Sequence, residues 1–312
     1  MLLSVVVCTY NREDYLKRCL ENIVNSTLDK TLYEVLVIDN NSVDKTKEIV
    51  ESFQKLAGNI SYFQEHQQGL SFARNRAIRE AKGKYLLYLD DDALVNAEGL
   101  EELNTFLSEN AGVAVVGGRS YIEYESAKPD WLTKKSEDWI GAYDFGEEIL
   151  VVNKNYRKKL VRYPIGACFC VEKEFLSSIG GFDSKLGRIG KKMLAGEETL
   201  VNFWAEKKQR LIIYFPNIFV RHLIQPERLS VKAFFVMTFY NGVSDYLIRT
   251  KVHSFLRRFG FSLFRVAFLF KNILEYCFYS LVRNKDKAFD SRFLMNFNFG
   301  YVVALFGFCK NG

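Results

Sequence analysis

Two hydrophobic periods alternate along the first 118 residues. Leu3–Cys8 is an apolar run of strand length, and Glu13–Val24 follows with apolar positions three and four apart, the spacing of a half-buried helix. The same pair recurs as Val35–Ile38 then Lys45–Leu56, Ile60–Phe63 then Ala73–Ala81, and Tyr85–Leu89 then Ala97–Leu107, with Val113–Val116 as a further strand. Strands alternating with helices of this length predict an α/β fold, a mainly parallel sheet covered by helices. Sheets of that kind take ligands beyond the C-terminal ends of their strands. The residues at those ends are Thr9-Tyr10-Asn11-Arg12, Asp39-Asn40-Asn41-Ser42 and Asp90-Asp91-Asp92, so three polar clusters converge on one edge of one sheet.

Residues 119–160 break the rhythm. They are polar, with Tyr121, Tyr124, Trp131, Trp139 and Tyr143 spread among the charges. Such aromatics serve either as a sugar-stacking surface or as the packing of an irregular segment. Periodicity returns at Tyr163–Val171, continues through Phe175–Ile179 and Gly180-Gly181-Phe182-Asp183, and ends in a helix near Glu197–Lys207 and the strand Arg210–Phe215.

Composition narrows the chemistry. The first turn, Thr9-Tyr10-Asn11-Arg12, has no glycine, which excludes a dinucleotide fingerprint and the glycine-rich phosphate loop of a sugar nucleotidyltransferase. The six cysteines show neither zinc-ribbon nor thioredoxin spacing, and the opening Met-Leu-Leu-Ser-Val-Val-Val reads as a strand rather than a signal peptide, so reduced thiols in a cytoplasmic protein are expected. Three consecutive carboxylates cannot be buried in a strand without compensation. Residues two apart on an extended chain point the same way, so Asp90 and Asp92 can share a target, and hard oxygen ligands suit Mn²⁺ or Mg²⁺ on a diphosphate. The competing use of Asp92 is as the cap of a helix starting near Asn96.

The ordered set of motifs is specific. Ser4–Arg12, Val37–Ser42, Gly69–Arg76, Tyr88–Asp92, Gly180–Asp183, Gly196-Glu197-Glu198 and Pro216–His222 together resemble the inverting, nucleotide-sugar-dependent glycosyltransferases of the GT-A fold, family 2 in type, over roughly residues 3–230. The resemblance implies a metal-dependent enzyme that moves a sugar from a nucleoside diphosphate to a hydroxyl acceptor, in the synthesis of cell-surface polysaccharide or glycolipid. It places Thr9, Tyr10, Arg12, Asp39, Arg74, Asp90 and Asp91 around the nucleotide sugar. Asp39 would meet the base, with a uridine donor favoured, Arg74 the base or phosphates, and Asp90 the ribose. Asp92 would ligate the metal, with His222 at the same end. The family's general base is the second acid of a Glu-Asp pair. Here the pair is Glu197-Glu198, a departure that points to Glu198 and keeps Glu197 as the alternative. A catalytically silent nucleotide-sugar binder on the same fold is the other reading.

These features divide the chain into a catalytic domain, residues 1–230, with a nucleotide-binding half (1–118) and an acceptor half (119–230), and a helical tail, 231–312. The tail holds the charge: Lys251–Gly312 has ten Lys and Arg against Glu275, Asp286 and Asp290, while the remainder is nearly neutral. Its aromatic and basic pattern over Phe255–Val282 suits a helix lying on an anionic membrane surface. The run Phe293–Cys309 is short for a bilayer span. Packing on the domain or on a second copy is the alternative. No nucleic-acid motif accompanies the basic residues. A lipid-linked or glycan acceptor fits this arrangement.

Overall fold

A computed structural model of the protein describes residues 1–155, 162–190 and 192–307. Its elements follow the predicted alternation: β1 (Leu3–Thr9), α1 (Glu13–Val24), β2 (Tyr33–Asp39), α2 (Thr46–Leu56), β3 (Ile60–Gln64), α3 (Leu70–Glu80) and β4 (Tyr85–Asp90). Next come β5 (Ala93–Val95), α4 (Gly99–Glu109), β6 (Val113–Tyr124), α5 (Lys134–Glu137), β7 (Leu150–Val151), α6 (Val152–Asn155), β8 (Cys168–Glu172) and α7 (Lys173–Ser178). The chain closes with α8 (Glu197–Lys207), β9 (Leu211–Ile224), and the three long helices α9 (Val231–Val252), α10 (Phe255–Leu281) and α11 (Lys285–Leu305).

The strands form one sheet in the order β3-β2-β1-β4-β8-β6-β9-β5, with β7 beside β9. Pairing is parallel across β3, β2, β1 and β4, while β8 joins β4, β6 joins β8 and β5 joins β9 antiparallel. The parallel part of the sheet is therefore β1 to β4, and β8, the next strand, runs antiparallel to β4. Two-residue periodicity divides the core between its faces. Val5 and Val7 pack with Leu16, Leu20, Val50 and Leu103 on one side. Val6 packs with Ala73, Ala77, Phe175 and Val201 on the other. Each face is dry, so the strands read as continuous apolar runs.

Two compact units result. The first comprises Met1–Glu123, Gly141–Lys185 and Glu197–Leu223; the second comprises Tyr124–Ile140, Leu186–Gly196 and Ile224–Gly312. Segments 124–140 and 186–196, placed in the acceptor half by sequence, thus cluster with the tail helices. In the second unit Trp131 packs at a tilt against Phe234 and Phe289, and Trp139 edge-on against Phe293 and Phe297, which makes these tryptophans packing residues. Cys8, Cys19, Cys168, Cys170 and Cys277 are free thiols, and Cys309 lies outside the described residues. Among the described residues no helix is long and apolar enough to cross a membrane.

Candidate functional site

The ends of β1, β2 and β4 meet in the first unit, as the topology requires. β1 pairs with β2 through Thr9↔Asp39 and with β4 through Cys8↔Asp90, so all three clusters leave the sheet side by side. The turns after β1 and β2 are sharp: Asn11 and Asn41 both adopt positive φ, 51° and 69°, a conformation Asn tolerates better than most residues. They also brace one another, because the Asn11 amide donates to Ser42 Oγ at 2.9 Å and the Val43 amide to Asn11 Oδ1 at 2.8 Å.

Asp92 does not cap a helix. The residues after it form β5, whose antiparallel register sets Ala93 opposite His222. That pairing brings His222 Nε2 within 3.3 Å of Asp92 Oδ1. Asp90, Asp92 and His222 each offer one ligand atom, and the three atoms lie within 4.8 Å of one another. Two carboxylate oxygens and one imidazole nitrogen form a donor set that suits Mn²⁺ or Mg²⁺.

Arg12 closes the same end. Its Nη1 donates to Asp91 Oδ1 at 2.6 Å and its Nη2 to Asp92 Oδ2 at 2.8 Å. Asp91 is buried and also accepts from Thr9 Oγ1 at 2.8 Å. Burial pushes its carboxyl up to about 7, against the pull of Arg12. Burial opposes the Arg12 charge too, but Asp91 and Asp92 outweigh it and raise its pKa above the ordinary value. Asp39 accepts from the Ser42 amide at 2.8 Å and from Tyr62 Oη at 2.7 Å. Tyr10 stands 46% exposed above this edge.

The family resemblance puts Arg74 against the nucleotide. In the structure it is fully buried on α3, and its Nη1 bridges Glu197, at 2.7 Å, and Glu198, while its Nη2 lies 3.3 Å from Asp90. Arg74 therefore ties the acid pair at the start of α8 to the carboxylate end of β4. Glu197 is buried, and its Oε2 has no hydrogen-bond partner among the described residues. Burial, then the neighbouring Glu198, push its carboxyl up to about 8 against Arg74. Glu198 keeps 12% of its side chain open, compared with 3% for Glu197. Gly166 lies so close to Glu198 Oε1 and Arg74 Nη2 that any side chain there would strike them. Sequence reasoning gave no sign of Gly166, because its role depends on a segment that approaches only in the fold.

Charge at this edge is shared closely. Among the described residues, Asp90, Asp91, Asp92, Glu197 and Glu198 form ion pairs with Arg12 and Arg74, and His222 lies beside Asp92. The oxygens of Asp90 and Asp92 and the His222 nitrogen are the atoms that could hold a divalent cation.

This arrangement matches a known family. The model of the family described as "Glycosyl transferase family 2" matches residues 4–180, more than half of the chain. The chain belongs to glycosyl transferase family 2. An uncharacterised glycosyltransferase of Methanocaldococcus jannaschii is 30% identical over 276 residues, covering 78% of this chain and 94% of its own length. A poly(ribitol-phosphate) beta-glucosyltransferase of Bacillus spizizenii is 33% identical over 119 residues, 38% of this chain. That match spans 19% of the Bacillus protein, and a match to a Haloferax volcanii glycosyltransferase spans 40% of its partner, so the chain covers well under half of these curated relatives. A mannosyltransferase of Pyrobaculum calidifontis, solved with GDP-Man and Mn²⁺, shares the GT-A fold with a TM-score of 0.62 over 97% of this chain and 86% of its own, at 14% identity.

Proposed function

We propose that the protein is a metal-dependent, inverting glycosyltransferase that moves a sugar from a nucleoside diphosphate to a hydroxyl acceptor in cell-surface polysaccharide or glycolipid synthesis. The observation that carries this reading is the convergence of Asp90, Asp92 and His222 beside an acid pair held on one buried arginine. The activities named for the Bacillus and Pyrobaculum proteins point the same way.

Asp92 and His222, with Asp90 beside them, would hold Mn²⁺ or Mg²⁺. When bound, the cation supplies Lewis-acid relief of the charge on the leaving diphosphate. Thr9, Tyr10 and Asp39 form the wall for the base. Each Asp39 oxygen accepts one hydrogen bond and keeps a second lone pair for a base N–H, and the preference for a uridine donor rests on the family resemblance. Arg12 stands next to the metal residues, placed to turn from Asp91 toward a phosphate. Glu198 takes the proton of the acceptor hydroxyl as it attacks the anomeric carbon in line. Its partial exposure gives it access that Glu197 lacks. Arg74 holds Glu198 in position through its Nη1. Glu197, protonated and buried, spaces the pair. Residues 1–230 carry this chemistry, and the basic tail, 231–312, holds the protein peripherally on the cytoplasmic face of a membrane, where a lipid-linked or glycan acceptor is presented.

Donor hydrolysis tests the reading. Slow release of nucleoside diphosphate that needs Mn²⁺, together with sugar transfer lost in Glu198→Gln, is the expected result. Donor binding with neither hydrolysis nor transfer under any metal would instead favour a silent nucleotide-sugar binder, for which Glu198 is simply a partner of Arg74.

A further inference from the structure

Within the second unit, α10 is built inside out. Its buried residues are polar: Ser262 Oγ lies 3.3 Å from Tyr301 Oη, and Asn272 Oδ1 accepts from Asn298 Nδ2 at 2.9 Å. Arg265, on the same side, is paired with Asp245 at 2.7 Å. The opposite side carries Leu256, Phe259, Leu263, Phe270, Leu274, Phe278 and Leu281, each between 56% and 82% exposed. Their spacing of three, four and seven residues places them on one stripe along the whole helix. At 27 residues and ~1.5 Å per residue the stripe is roughly 40 Å long. Its three phenylalanines, at ~200 Å² each when fully open, expose on the order of 350 Å². The four leucines carry it past the ~300–600 Å² patch of an ordinary monomer.

A helix in water turns its apolar side inward. Here Ser262, Arg265 and Asn272 on the inward side are met by hydrogen bonds and an ion pair, so the apolar side is made for another medium. Charge decides which one. From Arg257 to Arg292 there are eight Lys and Arg against three acids. Where α10 turns into α11, Arg283, Lys285 and Arg292 line a cavity of about 280 Å³ with Tyr276, Tyr279 and Phe289, and among the described residues no carboxylate shares its lining. A second copy would bring this positive surface against itself. An anionic lipid surface complements it, with acyl chains for the stripe and phosphate for the cationic cavity.

We infer that the outward stripe of α10 lies in the headgroup layer of an anionic membrane, and that the cavity at its C-terminal end takes a lipid phosphate. This deepens the peripheral-association reading above and is independent of sugar transfer, since binding is read without donor or acceptor. The test is co-sedimentation of the full chain with vesicles of phosphatidylcholine alone or mixed with phosphatidylglycerol. Binding should be roughly tenfold stronger to the anionic vesicles and weaken with salt. Leu263→Asp with Leu274→Asp should abolish binding to both, and Arg283→Glu with Arg292→Glu should remove the anionic preference. Hydrogen exchange on the unaltered protein gives a check that needs no variant: α10 amides should gain protection with anionic vesicles. Absence of vesicle binding, or a dimer that the stripe variant dissolves, would overturn the inference. So would inorganic phosphate raising the melting temperature of the wild-type protein, but not of the Arg283→Glu, Arg292→Glu variant, while vesicles are ignored.

Discussion

The two units treat buried polarity in opposite ways. In the first, apolar strands fill both faces of the sheet and the charges gather at the strand ends, where Arg12 and Arg74 are outnumbered by the carboxylates they touch. In the second, Ser262, Arg265 and Asn272 of α10 meet polar partners on the neighbouring helices, and a row of Phe and Leu side chains faces outward. Unmatched buried charge marks a place where a ligand completes the balance. Matched buried polarity beneath exposed Phe and Leu marks a surface that completes itself against another phase. Composition alone does not separate these cases, because both units are rich in apolar residues; position does.

The sharpest way to break this contrast is at the acid pair. Glu198→Gln keeps the shape and removes the proposed base, so sugar transfer should fall by about 10²–10⁴-fold with donor binding retained. Steady-state kinetics on donor and acceptor would check it, and a loss confined to KM for the donor would contradict the role. Arg74→Met removes the cation that Glu197 and Glu198 share in the interior. Stranding buried charge in this way should destabilise the first unit by about 3–5 kcal/mol, read as a shift of the urea midpoint.

The strand ends at Thr9, Asp39 and Asp90 are legible in the sequence, because polar residues stop apolar runs of fixed period. The position of His222 beside Asp92 is legible only through resemblance. The physical link is β5, three residues too short to announce themselves, paired with a strand about 130 residues further on. The destination of Arg74 is hidden for the same reason, since Glu197 and Glu198 approach it only through the fold. In α10 the periodicity shows two sides, but not which one the neighbouring helices cover. That choice is made by Asp245, Asn298 and Tyr301, on α9 and α11.

Smaller effects sharpen the comparison further. In the second unit Gly242 allows α9 and α11 to touch, because a Cβ there would strike the Phe297 carbonyl. Gly242→Ala should cost about 1–3 kcal/mol and loosen the tail helices while leaving donor binding intact, as seen by hydrogen exchange. Glu197 gives the mildest signal. Its carboxyl is raised from 4.5 to about 8, so between those values the folded chain keeps a proton that the unfolded chain has lost, and stability falls as pH rises through the window. Glu197→Gln should flatten that decline and leave the variant more stable than the wild type near pH 8. Parallel pH profiles for the two proteins would contradict a protonated Glu197.

The most direct test is calorimetric titration of a uridine diphosphate sugar into the protein with and without Mn²⁺, repeated with Asp92→Ala. Binding that requires the metal in the wild type, and is weakened at least tenfold in the variant, is the predicted result. Equal affinity in all four titrations would contradict a cation centre at Asp90, Asp92 and His222.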